Sequence, residues 1–240
     1  GASVALAARR RAELERLAER LRVEAGSECC ALEYDAADAS LPAAERLVAA
    51  VLERFGRLDV VLSNVGVNAL WSVEDWLGRA PGALAAVMDV NFASHEALAR
   101  AALRPLQAAG GRLALVSSES ASIASPGMAA YAASKAALNA FFLALRRELR
   151  GLGVGVTVVC PGPIGTGAMR QWLDAEGAPR QKDLRARARD PRVASAAAVA
   201  ELTLLATLRG EALVYVERRH WLLAALQPLA PSLCMWLRGA

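Results

Sequence analysis

Apolar runs of strand length alternate with longer amphipathic runs along most of the chain. Leu58–Ser63 is nearly continuous in its apolar character, which is typical of a parallel sheet covered on both faces. In the predicted helix Arg11–Ala25, the residues Leu14, Leu17 and Leu21 fall on one face. The pattern predicts strands at Ser3–Ala8, Cys29–Tyr34, Leu58–Ser63, Arg112–Ser117, Val154–Cys160 and Ala212–Val216 and helices at Arg11–Ala25, Leu41–Phe55, Ala83–Ala109, Pro126–Gly151 and Ser195–Leu208. This alternation indicates an α/β fold with a doubly wound parallel sheet.

The chain divides by composition into a predicted domain, residues 1–217, and a predicted apolar C-terminal extension, residues 218–240. Within the domain, Arg170–Pro191 is polar and rich in arginine, which predicts a mobile lid or a substrate loop. In the extension, Pro228 and Pro231 interrupt an apolar segment that is too short to span a bilayer. This segment either lies in a membrane interface or folds over the substrate pocket or a dimer partner.

Composition narrows the possible classes of function. The chain has 240 residues, 55% of them hydrophobic, which is enough for a single domain with a sizeable core. Its net charge of +4 is spread out, so we expect no nucleic-acid partner. Four cysteines occur without the spacing of a metal site, and no metal is predicted.

One tyrosine–lysine pair carries candidate chemistry. Lys135 is one of only two lysines, and it follows Tyr131 by four residues, which places both side chains on one helix face. A nearby ammonium stabilises a phenolate and lowers the pKa of tyrosine, which allows general acid/base catalysis. The alternative is an exposed pair on a helix surface.

Small polar or turn residues follow three consecutive predicted strands. Asn64 and Gly66 follow the first, Ser118 ends the second, and Pro161 and Gly162 follow the third. The carboxyl ends of parallel strands form the edge where α/β sheets bind ligands. We therefore expect these residues to lie together.

These residues resemble the motifs of the classical short-chain dehydrogenases/reductases. Tyr131-Ala-Ala-Ser134-Lys135 is similar to the YxxSK motif of that family, and Ser118 stands thirteen positions before Tyr131, where the family keeps a catalytic serine. The other matches are Ser63–Gly66 to the NNAG turn, Asn91 to the tetrad asparagine, Pro161–Thr166 to the PGxxxT segment and Asp35 to the acidic residue beside the adenine.

The resemblance implies a Rossmann-type fold and a role for each matching residue. Tyr131 is the general acid/base, Lys135 lowers its pKa and binds the nicotinamide ribose, Ser118 binds the substrate oxygen, and Asn91 holds a water. The other implied cofactor-binding residues are Asp35, Asn64, Gly66, Pro161, Gly162 and Thr166. A homodimer through Ala83–Ala109 and Pro126–Gly151 is also implied, with Phe141 and Phe142 as plausible interface residues.

Charge predicts which cofactor binds. NAD-specific enzymes place an acid after the second strand of the fold, whereas this chain has Ala8 there, followed by Arg9 and Arg10. Arginine binds a 2′-phosphate in a bidentate manner, so we predict NADP(H) with Arg9 as the main contact. The alternative is that both arginines are solvated residues at the start of the next helix.

The chain departs from the family pattern at its beginning. The family's TGxxxGxG turn is absent, and about 30 residues of the first βα unit are missing, so a fragment is the favoured interpretation. The tail resembles the hydroxysteroid and retinol dehydrogenase-like branch. We therefore predict an NADP(H)-dependent oxidoreductase of lipophilic alcohols and their ketones or aldehydes. It is predicted to be membrane-associated, with the endoplasmic reticulum as one candidate location, and otherwise cytoplasmic. The alternative is a non-catalytic accessory subunit of a membrane-associated assembly.

Overall fold

A computed structural model describes residues 1–78, 82–165, 171–173, 179–181 and 193–239. The strands are β1 Val4–Ala8, β2 Cys29–Glu33, β3 Val60–Ser63, β4 Asn68–Ala69, β5 Arg112–Val116, β6 Gly155–Cys160, β7 Gln171–Leu173, β8 Pro179–Gln181 and β9 Leu213–Tyr215. The helices are α1 Arg11–Ala25, α2 Leu41–Phe55, α3 Val73–Leu77, α4 Ala83–Met88, α5 Ser94–Ala109, α6 Ala129–Gly151, α7 Ala196–Arg209, α8 Arg218–Leu226 and α9 Pro231–Gly239.

The strands confirm the predicted α/β class. A parallel sheet runs in the order β3-β5-β6-β9, and β1 pairs with β2, also in parallel. Within the described residues these are two separate hydrogen-bonded groups. A third, small sheet joins β4, β7 and β8, so two short strands lie inside the predicted lid at Arg170–Pro191. The remainder of that lid falls outside the described residues.

Helices cover both faces of the four-stranded sheet. On one face, α5 and α6 pack against β5 and β6 around fully buried Leu106, Leu138 and Phe142. Ala114 and Val159 are also fully buried; because alternate residues of a strand point to opposite faces, they line the second face, where α7 packs. The main core therefore lies directly beneath the carboxyl edge of β3, β5 and β6.

Phe142 corrects one expectation. It belongs to this core and has no exposed surface, so the prediction that it is an interface residue is wrong. Phe141 is 38% exposed and stacks edge-on against Phe92 and Phe142. The two phenylalanines differ because helix geometry turns adjacent side chains about 100° apart.

The predicted long helix Ala83–Ala109 is interrupted. Between α4 and α5 lies a π-helical turn, Asp89–Ala93, and the hydroxyl of Ser94, directly after it, donates to the carbonyl of Val90 at 2.8 Å. Single π turns accommodate one extra residue and often mark functional sites. Asn91 lies in the middle of this turn.

The C-terminal residues form two helices, α8 and α9, on either side of Pro228. Among the residues that the structure describes, no helix is long and apolar enough to cross a membrane.

Candidate active site

The ends of three neighbouring strands meet at one edge of the sheet, as the sequence predicted. Asn64 and Gly66 follow β3, Ser118 follows β5, and Pro161 and Gly162 follow β6. Because β5 lies between β3 and β6, Ser118 occupies the middle of this edge. Asn64 and Gly66 are exposed, while Ser118 and Pro161 are buried.

The Ser118 and Tyr131 hydroxyls lie side by side, close enough for Ser118 to lower the pKa of the phenol. Ser118 is also fixed from below, because its Oγ accepts the backbone N–H of Ser120 at 3.1 Å. Burial raises the pKa of Tyr131, the hydroxyl of Ser118 opposes that rise, and the charges of Cys160 and Glu119 add to it. The phenol is thus held in its protonated form, ready to donate a proton.

Lys135 is almost completely buried, 2% exposed, beneath the same edge. Its ammonium donates to the carbonyl of Val116 at 3.2 Å and to that of Val65 at 3.4 Å, which links α6 to the ends of β5 and β3. Burial lowers the pKa of Lys135 to about 8. The expected lowering of the Tyr131 pKa by Lys135 stays a prediction.

Asn91 is fully buried in the π turn. Its Oδ1 accepts the N–H of Val67 at 2.8 Å, and its Nδ2 donates to the carbonyl of Val67 and to Ser134 Oγ, both at 3.0 Å. Ser134 in turn donates to the carbonyl of Tyr131 at 2.7 Å. One amide therefore connects the loop after β3 to the helix that carries Tyr131.

A histidine that the sequence analysis missed supports the loop after β3. His95 Nε2 lies 3.1 Å from the carbonyl of Val65, and Nδ1 lies 2.8 Å from Ser63 Oγ. Since a carbonyl only accepts, Nε2 carries the proton and Nδ1 accepts from the serine hydroxyl. Burial, together with the charge of Lys135, lowers the pKa of His95 to about 3, so the ring is neutral. The sequence feature that could have identified His95 is its position four residues after Asn91, near the same helix face.

The predicted cofactor residues fall at the same edge or beside β1 and β2. Arg9 is exposed between the end of β1 and the start of α1, while Arg10 pairs with Glu13 at 3.1 Å. Asp35 is exposed after β2, and its Oδ1 accepts the N–H of Ala37 at 2.9 Å. Thr166 lies outside the described residues.

Gly66 leaves room above the buried lysine. A Cβ at this position would lie 3.4 Å from both Lys135 Nζ and Asn91 Oδ1. A Cβ at that distance would make ordinary van der Waals contact, so Gly66 lies directly beside the Lys135 ammonium. A ribose hydroxyl suits this position, because its oxygen can accept from the ammonium.

A family model described as short chain dehydrogenase matches residues 1–177, a segment that contains every one of these side chains. The chain belongs to the short chain dehydrogenase family. This short chain dehydrogenase is 36% identical over 165 residues to the 11-beta-hydroxysteroid dehydrogenase A of Sesamum indicum, covering 68% of this chain and 45% of the relative. It is 32% identical over 185 residues to the dehydrogenase/reductase SDR family member 7B of Rattus norvegicus, covering 74% of this chain and 55% of the relative.

A solved structure gives the same fold. The short chain dehydrogenase/reductase of Burkholderia phymatum, in complex with NAD, superposes with a TM-score of 0.79 at 23% identity, covering 96% of this chain and 85% of the other. At that identity the likeness concerns the fold alone. The chain spans about half the length of the curated relatives described above.

This short chain dehydrogenase has a second set of polar residues at the same edge that the sequence analysis missed. Glu119, directly after Ser118, contacts His220 of α8, and His220 contacts Glu217. Glu217 also accepts the N–H of Gly162 at 3.2 Å. His220 lies in the predicted apolar extension, where no local pattern marks it.

Proposed function

We propose that the protein is an NADP(H)-dependent oxidoreductase that interconverts a lipophilic alcohol and its ketone or aldehyde. The observation that carries this proposal is the juxtaposition of the Ser118 and Tyr131 hydroxyls at the carboxyl edge of the sheet, with the Lys135 ammonium buried beneath it. A hydroxyl pair at a ligand-binding edge matches the needs of a carbonyl oxygen that gains a proton.

Each of these residues has a distinct role in the proposed carbonyl reduction. The Ser118 hydroxyl donates a hydrogen bond to the substrate oxygen, and Tyr131 delivers its phenolic proton to that oxygen as negative charge develops there. Lys135, charged at neutral pH, stabilises the phenolate that remains. Asn91 and His95 hold the loop after β3 against α6. Bound NADPH supplies the hydride.

The choice of NADP(H) rests on Arg9. The residue before it, Ala8, carries no acid that would repel a 2′-phosphate, and no ion pair engages the exposed Arg9 within the described part of the chain. Arg10 is already paired with Glu13. Arg9 can therefore offer its guanidinium to a phosphate without losing another partner.

The test is a fluorescence titration of the full-length protein with NADPH and with NADH. We expect NADPH to bind more tightly, and Arg9→Ala to weaken NADPH by about 10- to 100-fold, as for a lost charge-assisted hydrogen bond, with NADH unchanged. Arg10→Ala is the matched control and should bind NADPH like the wild type. Failure of folded protein to bind either nucleotide would refute the dehydrogenase and favour the accessory subunit.

The lipophilic substrate rests on the relatives and on the surface. The Sesamum indicum relative is named for a hydroxysteroid, and Trp221, Leu222 and Leu229 on or beside α8 are more than half exposed. A panel of steroid, retinoid and short polar ketones, followed by the loss of NADPH absorbance, tests this proposal. Turnover confined to the polar ketones would contradict it.

The same apolar residues support peripheral membrane contact. Trp221 is 60% exposed beside the exposed Arg218 and Arg219, a pairing that suits an interface with anionic lipid. Cosedimentation with phosphatidylserine vesicles should fall on Trp221→Ser but not on Trp76→Ser, a tryptophan in α3 of similar exposure, 65%. Equal binding by both variants would argue against this tail as the contact.

The homodimer is proposed through α5 and α6, with Phe141 in place of Phe142 as the interface aromatic. Phe141 is partly exposed on α6 and stacks against Phe92. Light scattering of the wild type and of Phe141→Asp tests this surface. A dimer that persists unchanged in the variant would exclude it.

A further inference from the structure

The one buried side chain of helix α8 is a histidine, not an apolar residue. His220 is 6% exposed and is the buried residue of this helix, whereas its neighbours Trp221 and Leu222 are 60% and 51% exposed. Helices of globular proteins usually pack through an apolar face. The contacts of His220 therefore contribute to the position of α8, beside those that α8 makes with β9 and α9.

Both nitrogens of the His220 ring face carboxylates. Nε2 lies 2.7 Å from Glu119 Oε2, and Nδ1 lies 2.9 Å from Glu217 Oε2. Nδ1 is hydrogen-bonded to Glu217, and the two carboxylates on either side of the ring favour its positively charged imidazolium form. These three side chains, the Glu119–His220–Glu217 cluster, are at most 18% exposed, and this burial strengthens the electrostatic attraction between the ring and the carboxylates.

The cluster joins the loops that follow β5 and β6. Glu119 follows Ser118 in sequence, and its N–H donates to the carbonyl of Pro161 at 2.9 Å. Glu217 Oε2 accepts the N–H of Gly162 at 3.2 Å. The imidazole packs directly on Gly162, where a Cβ would lie only 2.5 Å from His220 Cε1. The ring thus contacts Gly162 directly and Ser118 only through its neighbour Glu119, and both are predicted site residues.

We propose that His220 is a positioning residue, which clamps the loops carrying Ser118 and Gly162 to α8 and thereby sets the placement of the catalytic hydroxyls. The catalytic part of this inference rests on the proposed function. The clamp itself does not, because it concerns contacts within the chain.

The charges around the ring give this clamp a pH dependence. Burial lowers the pKa of His220, but the hydrogen bonds and charges of Glu119 and Glu217 outweigh burial and raise it to about 9. The pKa of Glu217 shifts in the opposite direction. Burial raises this pKa, but the hydrogen bond and the charge of His220 bring it below the ordinary value. From α6, Tyr131 feels the charge of Glu119, which raises the pKa of the phenol. Arg218 is exposed.

His220→Gln should raise the pKa of Tyr131 and shift the pH profile of alcohol oxidation. The variant keeps a hydrogen-bonding side chain but removes the cation, so the charge of Glu119 beside Tyr131 is no longer compensated. The pKa of Tyr131 then rises further, and alcohol oxidation, which needs the phenolate, requires a higher pH. A residue that served only to hold the fold together would lower activity without shifting the pH profile.

The first test is an NMR pH titration of the wild-type imidazoles, without nucleotide. The chain has two histidines, and His95, with a pKa of about 3, serves as an internal reference that stays neutral across the range. We expect His220 to be doubly protonated at neutral pH and to titrate near 9, and to titrate lower in Glu217→Gln. Titration near the ordinary value of 6.5 would overturn the clamp.

The second test measures the pH dependence of kcat for alcohol oxidation. In His220→Gln we expect its rise to move to higher pH by about half a unit or more. The control Arg209→Gln, which removes an exposed ion pair of 3.9 Å with Glu211, should leave the profile in place. An unshifted profile in folded His220→Gln would overturn the positioning role. An inactive wild type whose His220 still titrates near 9 would refute the proposed function and leave the clamp standing.

Discussion

Lys135 lies in the interior at a cost in stability, and Lys135→Met should remove that cost. The ammonium is 2% exposed, and burial lowers its pKa from 10.5 to about 8. The unfolded chain therefore binds this proton more tightly than the folded chain does. Between these two pKa values the unfolded state carries more protons, so stability rises with pH over that window.

The size of the effect follows from the shift. Each pKa unit corresponds to about 1.4 kcal/mol, so the lysine lowers the free energy of unfolding by about 3 kcal/mol near pH 7 and by about 1 kcal/mol near pH 10. The difference in that free energy between wild type and Lys135→Met should therefore change by about 2 kcal/mol, in favour of the wild type, as pH rises. The lost hydrogen bonds to Val116 and Val65 add an offset, and the pH slope separates the two contributions.

Urea denaturation without nucleotide, followed by tryptophan fluorescence across this pH range, measures the difference. Arg147→Met, an exposed cation on the same helix, is the matched control, and its difference from the wild type should stay flat. A flat or falling difference for Lys135→Met would refute the reasoning. A rising difference would mean that Lys135 is retained despite its cost to folding, as expected of a residue kept for function.

Three further predictions concern buried groups. Phe142→Ala should lower the free energy of unfolding by about 3–5 kcal/mol and Phe141→Ala by far less, as urea titrations would reveal; similar losses would contradict the core assignment. Gly162→Ala should cost about 1–3 kcal/mol, because its Cβ would overlap the His220 ring, and a neutral effect in the same assay would dispute that contact. The pKa of His95 is lowered to about 3, so the unfolded chain binds this proton more tightly below pH 6.5. Acid should therefore destabilise the wild type relative to His95→Asn by up to about 1.4 kcal/mol per pH unit below 6.5. If the stability of both proteins fell equally with pH, a buried neutral ring would be excluded.

Local pattern predicted the elements that carry the site. Continuous apolar runs identify β3, β5 and β6, because strands covered on both faces need no alternation. The four-residue spacing of Tyr131 and Lys135 identifies the face of α6 that carries the candidate site. Helical spacing alone could also have predicted that Phe142 is buried. Phe142 follows Leu138 by four residues and Leu149 follows Phe142 by seven, and all three are buried.

Contacts between distant segments were beyond the sequence. Glu119 and His220 stand roughly a hundred residues apart, and nothing in either local pattern points to the other. The leucines and tryptophans around His220 predict only an apolar segment. Its contact with a carboxylate becomes visible only in the folded structure. The π turn was missed for another reason: one extra residue hardly disturbs an apolar period over a long helical run.

Because of that π turn, stable folding and an intact candidate site depend on different features of the chain. Val87, Asn91 and His95, all fully buried, recur every four residues, whereas a regular α-helix would rotate each successive member by about 40° away from the core. The turn absorbs this drift. A chain one residue shorter between Met88 and Ser94 could close the turn as ordinary helix and keep α4 and α5 on the core, but the amide of Asn91 would no longer reach Val67 and Ser134. Deletion here is therefore a route to a well-folded molecule without a working site, and thermal stability alone would not detect the loss.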